Sequence, residues 1–244
     1  MSDKQHPNYN GKVLSSGEDL GEAPEASIAA IFDMDGTLID NTPFHYKAWQ
    51  LLFKKYNMPE PSRETYKGEI SGVPIANTVR RYFADADESL IKTISHEKQA
   101  FYQQEFLPYL RPITGLENFL AELKDAGVKM AVATSSDMAD VDFIFDTIPI
   151  RQYFDAIITG DMVSEPKPSP QIFLKAAEQL NARPENCLVF EDSTAGLKAG
   201  NDAGMKVVGI TTAHPAETVA KAARLVINDY AGMSLQKLAV LFDE

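Results

Sequence analysis

The chain repeatedly gathers a few apolar residues into a short run and then breaks it off. Ile28-Ala29-Ala30-Ile31-Phe32 stops at Asp33, and Val128 to Ala133, Ala156 to Ile158, Cys187 to Phe190 and Val207 to Ile210 repeat the form. A continuous apolar run of this length suits a strand buried on both faces. Helical patterns lie between the runs. Leu116 to Ala126 is stopped by Gly127, Pro170 to Leu180 has Ser169 as its N-cap and Pro170 at its first position, and Ala195 to Ala203 is followed by Gly204. Strands alternating with helices predict an α/β fold built on a doubly wound parallel sheet. The interval of four between Gly196, Gly200 and Gly204 reads as close packing of a helix against that sheet.

One interval breaks the alternation. Residues 41–112 carry helical patterns at Tyr46 to Tyr56, Ile75 to Phe83 and Glu88 to Phe106, with no strand of comparable quality. That is too much chain for an ordinary strand-to-helix loop. It predicts a small helical domain inserted into a core of residues 27–40 and 113–244, with hinges near Asn41 to Pro43 and Leu110 to Pro112. Residues 1–26 are polar and without sustained periodicity, a loosely ordered tail in which Glu18 to Ala26 could form a short docked helix.

Composition narrows the setting. With 244 residues, 44% of them hydrophobic, the chain can bury a sizeable core. A net charge of -12 repels nucleic acid and anionic membranes, so neither is an expected partner. Cys187 is the only cysteine and lies in an apolar run, which excludes an intrachain disulfide and favours a buried, inert thiol. With neither a secretory signal nor a spanning segment in the sequence, a cytoplasmic location is the simplest expectation. Nothing in the sequence demands more than a monomer.

Ligands of an open parallel sheet bind beyond the carboxyl ends of its strands. The first run ends in Asp33-Met34-Asp35-Gly36-Thr37, the second in Thr134-Ser135-Ser136, and the run after Cys187 in Glu191-Asp192. Carboxylates gathered at one edge resist shared ionisation, and a hard divalent cation with oxygen ligands resolves the conflict. Mg2+ is the natural choice, because it keeps waters and completes its shell with phosphate. Lys167, in a loop stiffened by Pro166 and Pro168, adds a further positive charge. The expected chemistry is phosphoryl transfer. Asp33 attacks phosphorus, Asp35 protonates the leaving oxygen and then deprotonates water, Thr134 donates to the phosphoryl group, and Lys167 with magnesium neutralises its oxygens. Gly36 lets the backbone turn sharply after the strand.

These residues resemble the four motifs of the haloacid dehalogenase superfamily. The stretch from Asp33 to His45, then Lys167-Pro168-Ser169-Pro170, then Glu191 to Gly196 is similar to its β-phosphoglucomutase-like branch, over about residues 27–240. The resemblance implies a Rossmann-like core with a helical cap inserted after the first strand. It implies that Asp33 is the nucleophile and Asp35 the acid/base. The metal ligands would be the Asp33 carboxylate, the Asp35 backbone carbonyl and Asp192, with Glu191 supporting them. Gly68 to Val73 resembles the substrate-specificity loop, which makes Glu69, Ser71 and Gly72 substrate-binding candidates beside His45, Ser135 and Ser136. A mutase grips a second phosphate partly with cations. The aligned positions here are Ser71, Ile75 and Asp137, and Gly68 to Ala76 contains neither lysine nor arginine. The departure favours hydrolysis of a small phosphorylated metabolite such as a sugar phosphate. His45, at the position of the mutase's hinge histidine, keeps the mutase reaction open, and inorganic pyrophosphate is a further candidate substrate.

Plainer readings compete. Asp33-x-Asp35 could open a calcium loop, but glycine stands fourth rather than sixth and a strand precedes it. Thr134 could cap the helix that follows, Lys167 could be surface linker, His45 a satisfied half-buried residue and Glu69 a solvated charge. Trp49 reads as core of the inserted domain, and His96-Glu97, lacking a second histidine, as surface. Metal-free dehalogenation would leave Asp35, Glu191 and Asp192 unexplained. A noncatalytic metal- or phosphate-binding module is the remaining alternative.

Overall fold

The computed structural model describes residues 28–71 and 73–242. Six strands form one parallel sheet: β1 (Ala29–Phe32), β2 (Lys129–Ala133), β3 (Ala156–Ile158), β4 (Cys187–Glu191), β5 (Lys206–Ile210) and β6 (Leu225–Ile227). Their order is β3-β2-β1-β4-β5-β6. β1 is central and its neighbours diverge in chain direction, so the topological switch point falls between β1 and β4. The register pairs Phe32 with Phe190, which sets the ends of those two strands level. Their rings stack at 4.5 Å. All of β1 and β4 is buried, as their continuous apolar runs require. β6 is an edge strand of three half-buried or buried residues, too short to stand out in the sequence.

The helices are α1 (Thr42–Lys55), α2 (Arg63–Thr65), α3 (Ile75–Tyr82), α4 (Glu88–Phe106), α5 (Leu116–Asp125), α6 (Met138–Thr147), α7 (Gln171–Gln179), α8 (Thr194–Asp202), α9 (Ala216–Val219) and α10 (Leu235–Ala239). A π-helix, Tyr66–Ile70, continues α2. Leu116, Leu120, Val141, Ile144 and Leu238 cover one face of the sheet, and Ile172, Phe173, Leu197, Ala199 and Val219 the other. The sheet is therefore doubly wound.

Helices α1 to α4 form the insertion between β1 and α5. Trp49, Leu52, Phe53, Val79, Ile91 and Ile94 give it a core of its own. Its base, through Ala48, Tyr102 and Phe106, joins the cluster on one face of the sheet. Its two ends lie side by side: Ile39 bridges to Pro112, and Ile113 donates its N–H to the Leu38 carbonyl at 2.9 Å.

Some local expectations are corrected. α6 is capped by Asp137, whose side chain accepts from the Asp140 N–H, so Thr134 does not cap it. α7 begins at Gln171 with Pro170 at the cap position, one residue later than expected, while Ser169 Oγ accepts weakly from the Gln171 N–H at 3.4 Å. Of the spaced glycines, Gly200 packs on Val189 and Val207, but Gly204 follows the end of its helix with φ +74, where an added Cβ would meet nothing within 4 Å. The tail and its possible helix at Glu18 to Ala26, like Gly72, lie outside the described residues.

Candidate active site

The carboxyl ends of β1 and β4 bring Asp33, Glu191 and Asp192 together, with one carboxylate oxygen from each lying within 4.8 Å of the others. All three are buried. Lys167 reaches in from the loop before α7, its peptide bond to Pro168 cis. Its ammonium donates to Asp33 Oδ1 at 2.7 Å, to Glu191 Oε1 at 2.8 Å and to the Ala133 carbonyl at 3.1 Å. Phe173 lies under it, 4.7 Å from ring centre to Nζ. Burial would lower the lysine, but the Asp33 and Glu191 charges outweigh it and hold its pKa above the usual range.

Both oxygens of Glu191 are engaged, since Oε2 accepts from the Ser193 N–H at 2.6 Å. A Cβ at Gly196 would overlap that carboxylate, which explains the glycine in the first turn of α8. Asp192 Oδ2 accepts from Thr212 Oγ1 at 3.1 Å, and the same hydroxyl lies 2.6 Å from the Gly36 carbonyl oxygen. Gly36 has φ +81, and a Cβ there would overlap the Asp192 carboxylate. The positive φ and the close approach both require glycine.

Asp33 and Asp35 are two residues apart and oppositely tuned. Burial pushes Asp33 up to about 8, against the pull of Lys167 and with the help of Glu191 and Asp35. Burial also acts on Asp35, but hydrogen-bonding neighbours overcome it and bring it down to about 2. Ser136 Oγ donates to Asp35 Oδ2 at 2.7 Å, Asn41 Nδ2 donates to Oδ1, and His45 Nε2 lies 3.7 Å from Oδ1. Asn41 also donates to the Tyr102 hydroxyl at 2.7 Å. His45 stacks on Tyr102 at 4.0 Å, and Lys98 Nζ lies 2.8 Å from His45 Nδ1. Burial and the Lys98 charge bring His45 down to about 4, and burial brings Lys98 down to about 8.

The sequence candidates divide accordingly. Asp33, Asp35, Ser136, Lys167, Glu191, Asp192 and His45 meet at the site. Thr134 is buried at the end of β2, where its Oγ1 accepts from the Ser136 N–H at 3.1 Å. Ser135 is exposed on the same loop. Glu69 takes its partners from α3 rather than from the cluster, Tyr82 hydroxyl at 2.8 Å and Arg81 at 3.0 Å. Ser71 is exposed at the end of the π-helix, where its N–H donates to the Tyr66 carbonyl at 2.8 Å. Ile75 and Asp137 both line a cavity of about 600 Å³ between α3, α4 and the start of α6.

Asn41, Lys98, Tyr102 and Thr212 were not singled out in the sequence. Lys98 had a signal. It lies on the stripe Ile91, Ile94, Lys98, Tyr102, Phe106, the buried face of α4, where a lysine needs a reason. Thr212 follows the end of β5, the same kind of position that identified Asp33 and Asp192.

The fold and site define an α/β enzyme with its polar cluster at the switch point of a parallel sheet. The model of the haloacid dehalogenase-like hydrolases matches residues 30–210, and the chain belongs to that family. The validoxylamine A 7'-phosphate phosphatase of Streptomyces hygroscopicus subsp. limoneus is 31% identical over 79% of this chain and 90% of its own length. The phosphorylated carbohydrates phosphatase of Thermotoga maritima is 32% identical over 73% of this chain and 82% of its own. The crystal structure of β-phosphoglucomutase from Clostridium difficile superposes with a TM-score of 0.76 at 26% identity, covering 88% of this chain and 96% of that one. Among the described residues, no helix is long and apolar enough to cross a membrane.

Proposed function

We propose that this enzyme is a magnesium-dependent phosphatase that hydrolyses a small phosphorylated metabolite, in the first instance a sugar phosphate, through an aspartyl-phosphate on Asp33. The observation that carries this reading is the Asp33/Asp35 pair: two carboxylates in one turn of chain, one tied to a lysine and a second acidic strand end, the other to hydrogen-bond donors. Its phosphatase relatives support it.

The donor set fits a divalent cation. Three buried carboxyl groups share one ammonium, and burial with mutual repulsion holds Asp33 and Asp192 above the usual carboxylate range, so full ionisation of the set calls for a further positive charge. Asp33, Asp192 and the Asp35 backbone carbonyl would hold the cation, while Glu191 keeps Lys167 in place. Bound there, the cation supplies charge neutralisation at the phosphoryl oxygens and keeps Asp33 ionised.

Asp33 attacks phosphorus, and Lys167 stabilises the charge on the equatorial oxygens. The dianionic phosphoryl group opposes the negative charge of Asp35 and raises its pKa, so that Asp35 carries the proton it gives to the leaving oxygen. Once that group has left, Asp35 is a base for the incoming water. Ser136, Asn41 and His45 aim its carboxylate. The insertion acts as a cap of residues 41–112, opening about the paired segments at Ile39 and Pro112.

Phosphate release from sugar phosphates, nucleotides and pyrophosphate, with and without magnesium, tests the reading. β-Phosphoglucomutase activity is the second reading, favoured by His45 beside Asp35. Glucose 6-phosphate appearing from β-glucose 1-phosphate without matching phosphate release would establish it. Magnesium-dependent phosphate release would establish hydrolysis. No turnover of any of these compounds would sink both.

A further inference from the structure

Two of the proposed cation ligands stand beyond different strands. The Asp35 backbone carbonyl follows β1, and the Asp192 carboxylate follows β4. The insertion and half of the core lie between them in the chain, so contacts rather than covalent geometry must set their separation.

Thr212, two residues beyond β5, makes those contacts. Its Oγ1 lies 2.6 Å from the Gly36 carbonyl oxygen and 3.1 Å from Asp192 Oδ2. A hydroxyl has one proton to give, and here acceptors from two strand ends share it. The threonine is itself held in place. Thr211 donates its N–H to the Ile227 carbonyl at 3.1 Å and its hydroxyl to Asn228 Oδ1 at 2.7 Å, which carries the pairing of β5 with β6 past the last strand residue. The β-branched side chain of Thr212 also has few rotamers to choose from.

Gly36 passes the restraint on to Asp35. The Asp35 carbonyl and the Gly36 N–H belong to one planar trans peptide unit and point in opposite directions. That N–H donates to the Ile39 carbonyl at 2.7 Å, which sets the plane, and Thr212 ties the carbonyl on the other side of Gly36. At Asp192 the hydroxyl engages Oδ2, the oxygen that also lies closest to Gly36, and so leaves Oδ1 to be offered to a cation.

Ligands locked to one another do not suit all cations equally. Magnesium demands near-ideal octahedral geometry at about 2.0–2.1 Å, whereas calcium accepts about six to eight oxygens at about 2.3–2.6 Å in flexible arrangements. A fixed separation therefore benefits magnesium far more than calcium.

We infer that Thr212 is a positioning residue for the cation: it locks the Asp35 carbonyl to the Asp192 carboxylate and makes the site selective for magnesium over calcium. The inference rests on the metal site of the proposed function and adds the residue that sets its selectivity.

The test is a calorimetric titration of the purified chain with magnesium chloride and, separately, calcium chloride, without substrate. Thr212→Val keeps the branched shape and removes the hydroxyl. It is expected to lose about tenfold or more in magnesium affinity and less than about threefold in calcium affinity. Thr212→Ala, which removes the hydroxyl without placing a methyl group against Asp192, is expected to match it. Thr212→Ser keeps the hydroxyl and is expected to stay within about threefold of the wild type for both cations. A merely structural role would weaken both cations alike and would lower the melting temperature in chelator. Equal losses of the two cations, unchanged magnesium affinity in both Thr212→Val and Thr212→Ala, or a Thr212→Ser variant as weak as Thr212→Val overturns the inference. A wild type that binds neither cation overturns the metal site and the inference with it. A wild type that binds magnesium but releases no phosphate from any ester overturns the phosphatase reading instead.

Discussion

Lys98 Nζ and His45 Nδ1 lie 2.8 Å apart, with the ring stacked on Tyr102. An ammonium can only donate, so Nδ1 is the bare nitrogen and Nε2 carries the ring proton toward Asp35. A lysine on one helix of the insertion thus sets the tautomer of a histidine on another. Lys98→Met preserves the apolar stem and releases that constraint. It is expected to lower kcat about tenfold and to raise the His45 pKa from about 4 toward its ordinary value. Steady-state kinetics and an NMR titration of the imidazole check the two parts separately. An unchanged His45 titration would show that Lys98 does not set the ring's state.

The same lysine gives stability a pH dependence of known sign. Its folded pKa is about 8 against 10.5 in the unfolded chain, so between these values the unfolded state binds more protons. Stability contributed at this position therefore rises with pH across that window. Relative to Lys98→Met, the wild type should gain on the order of 3 kcal/mol between pH 8 and pH 10.5. Urea unfolding of both proteins along that range measures it, and a constant difference would refute it.

Asp33→Asn keeps the shape of the proposed nucleophile and removes its charge. Turnover is expected to fall by at least about 10³-fold. In the presence of chelator, the variant is expected to melt above the wild type, because one of three crowded carboxylates is gone while Lys167 keeps Glu191. Retained turnover, measured by phosphate release, would remove Asp33 from the mechanism.

Gly36→Ala addresses the proposed metal site without replacing a ligand side chain. The added methyl would overlap the Asp192 carboxylate and strain a backbone at φ +81. Magnesium affinity, measured by calorimetry, is expected to weaken at least about tenfold. Magnesium should also raise the melting temperature of the wild type and leave that of Asp192→Asn unchanged. Equal affinity in Gly36→Ala would mean that Asp192 is not a ligand.

What the sequence made legible was whatever is local. β1 and β4 are continuous apolar runs ending in acidic residues, so the strands and the carboxylates beyond them are written in consecutive positions. The boundaries of α4 were read to the residue, because a long amphipathic pattern is self-sufficient. The residues that were missed act through distant partners: Lys98 through His45, Asn41 through Tyr102, Thr212 through Asp192. The helix after Thr134 was expected but left without bounds, because Val141, Ile144 and Phe145 of α6 sit among aspartates that blur its apolar face. β6 was passed over because three residues at a sheet edge carry almost no periodic signal. Glu69, chosen by alignment to a loop, is bound by Arg81 and Tyr82 of α3, a choice that only packing reveals.

The two aspartates of the first motif take their bearings from different bodies. Asp33 donates its N–H to the Phe190 carbonyl and is gripped by Lys167, so its frame of reference is the sheet. Asp35 is gripped by Asn41 and His45 at the root of the insertion, and by Ser136 on the core. A rotation of the insertion would thus re-aim the Asp35 carboxylate while Asp33 stands still. A single residue, Met34, separates the two carboxylates, and under the proposed mechanism the timing of proton transfer would follow the posture of the insertion.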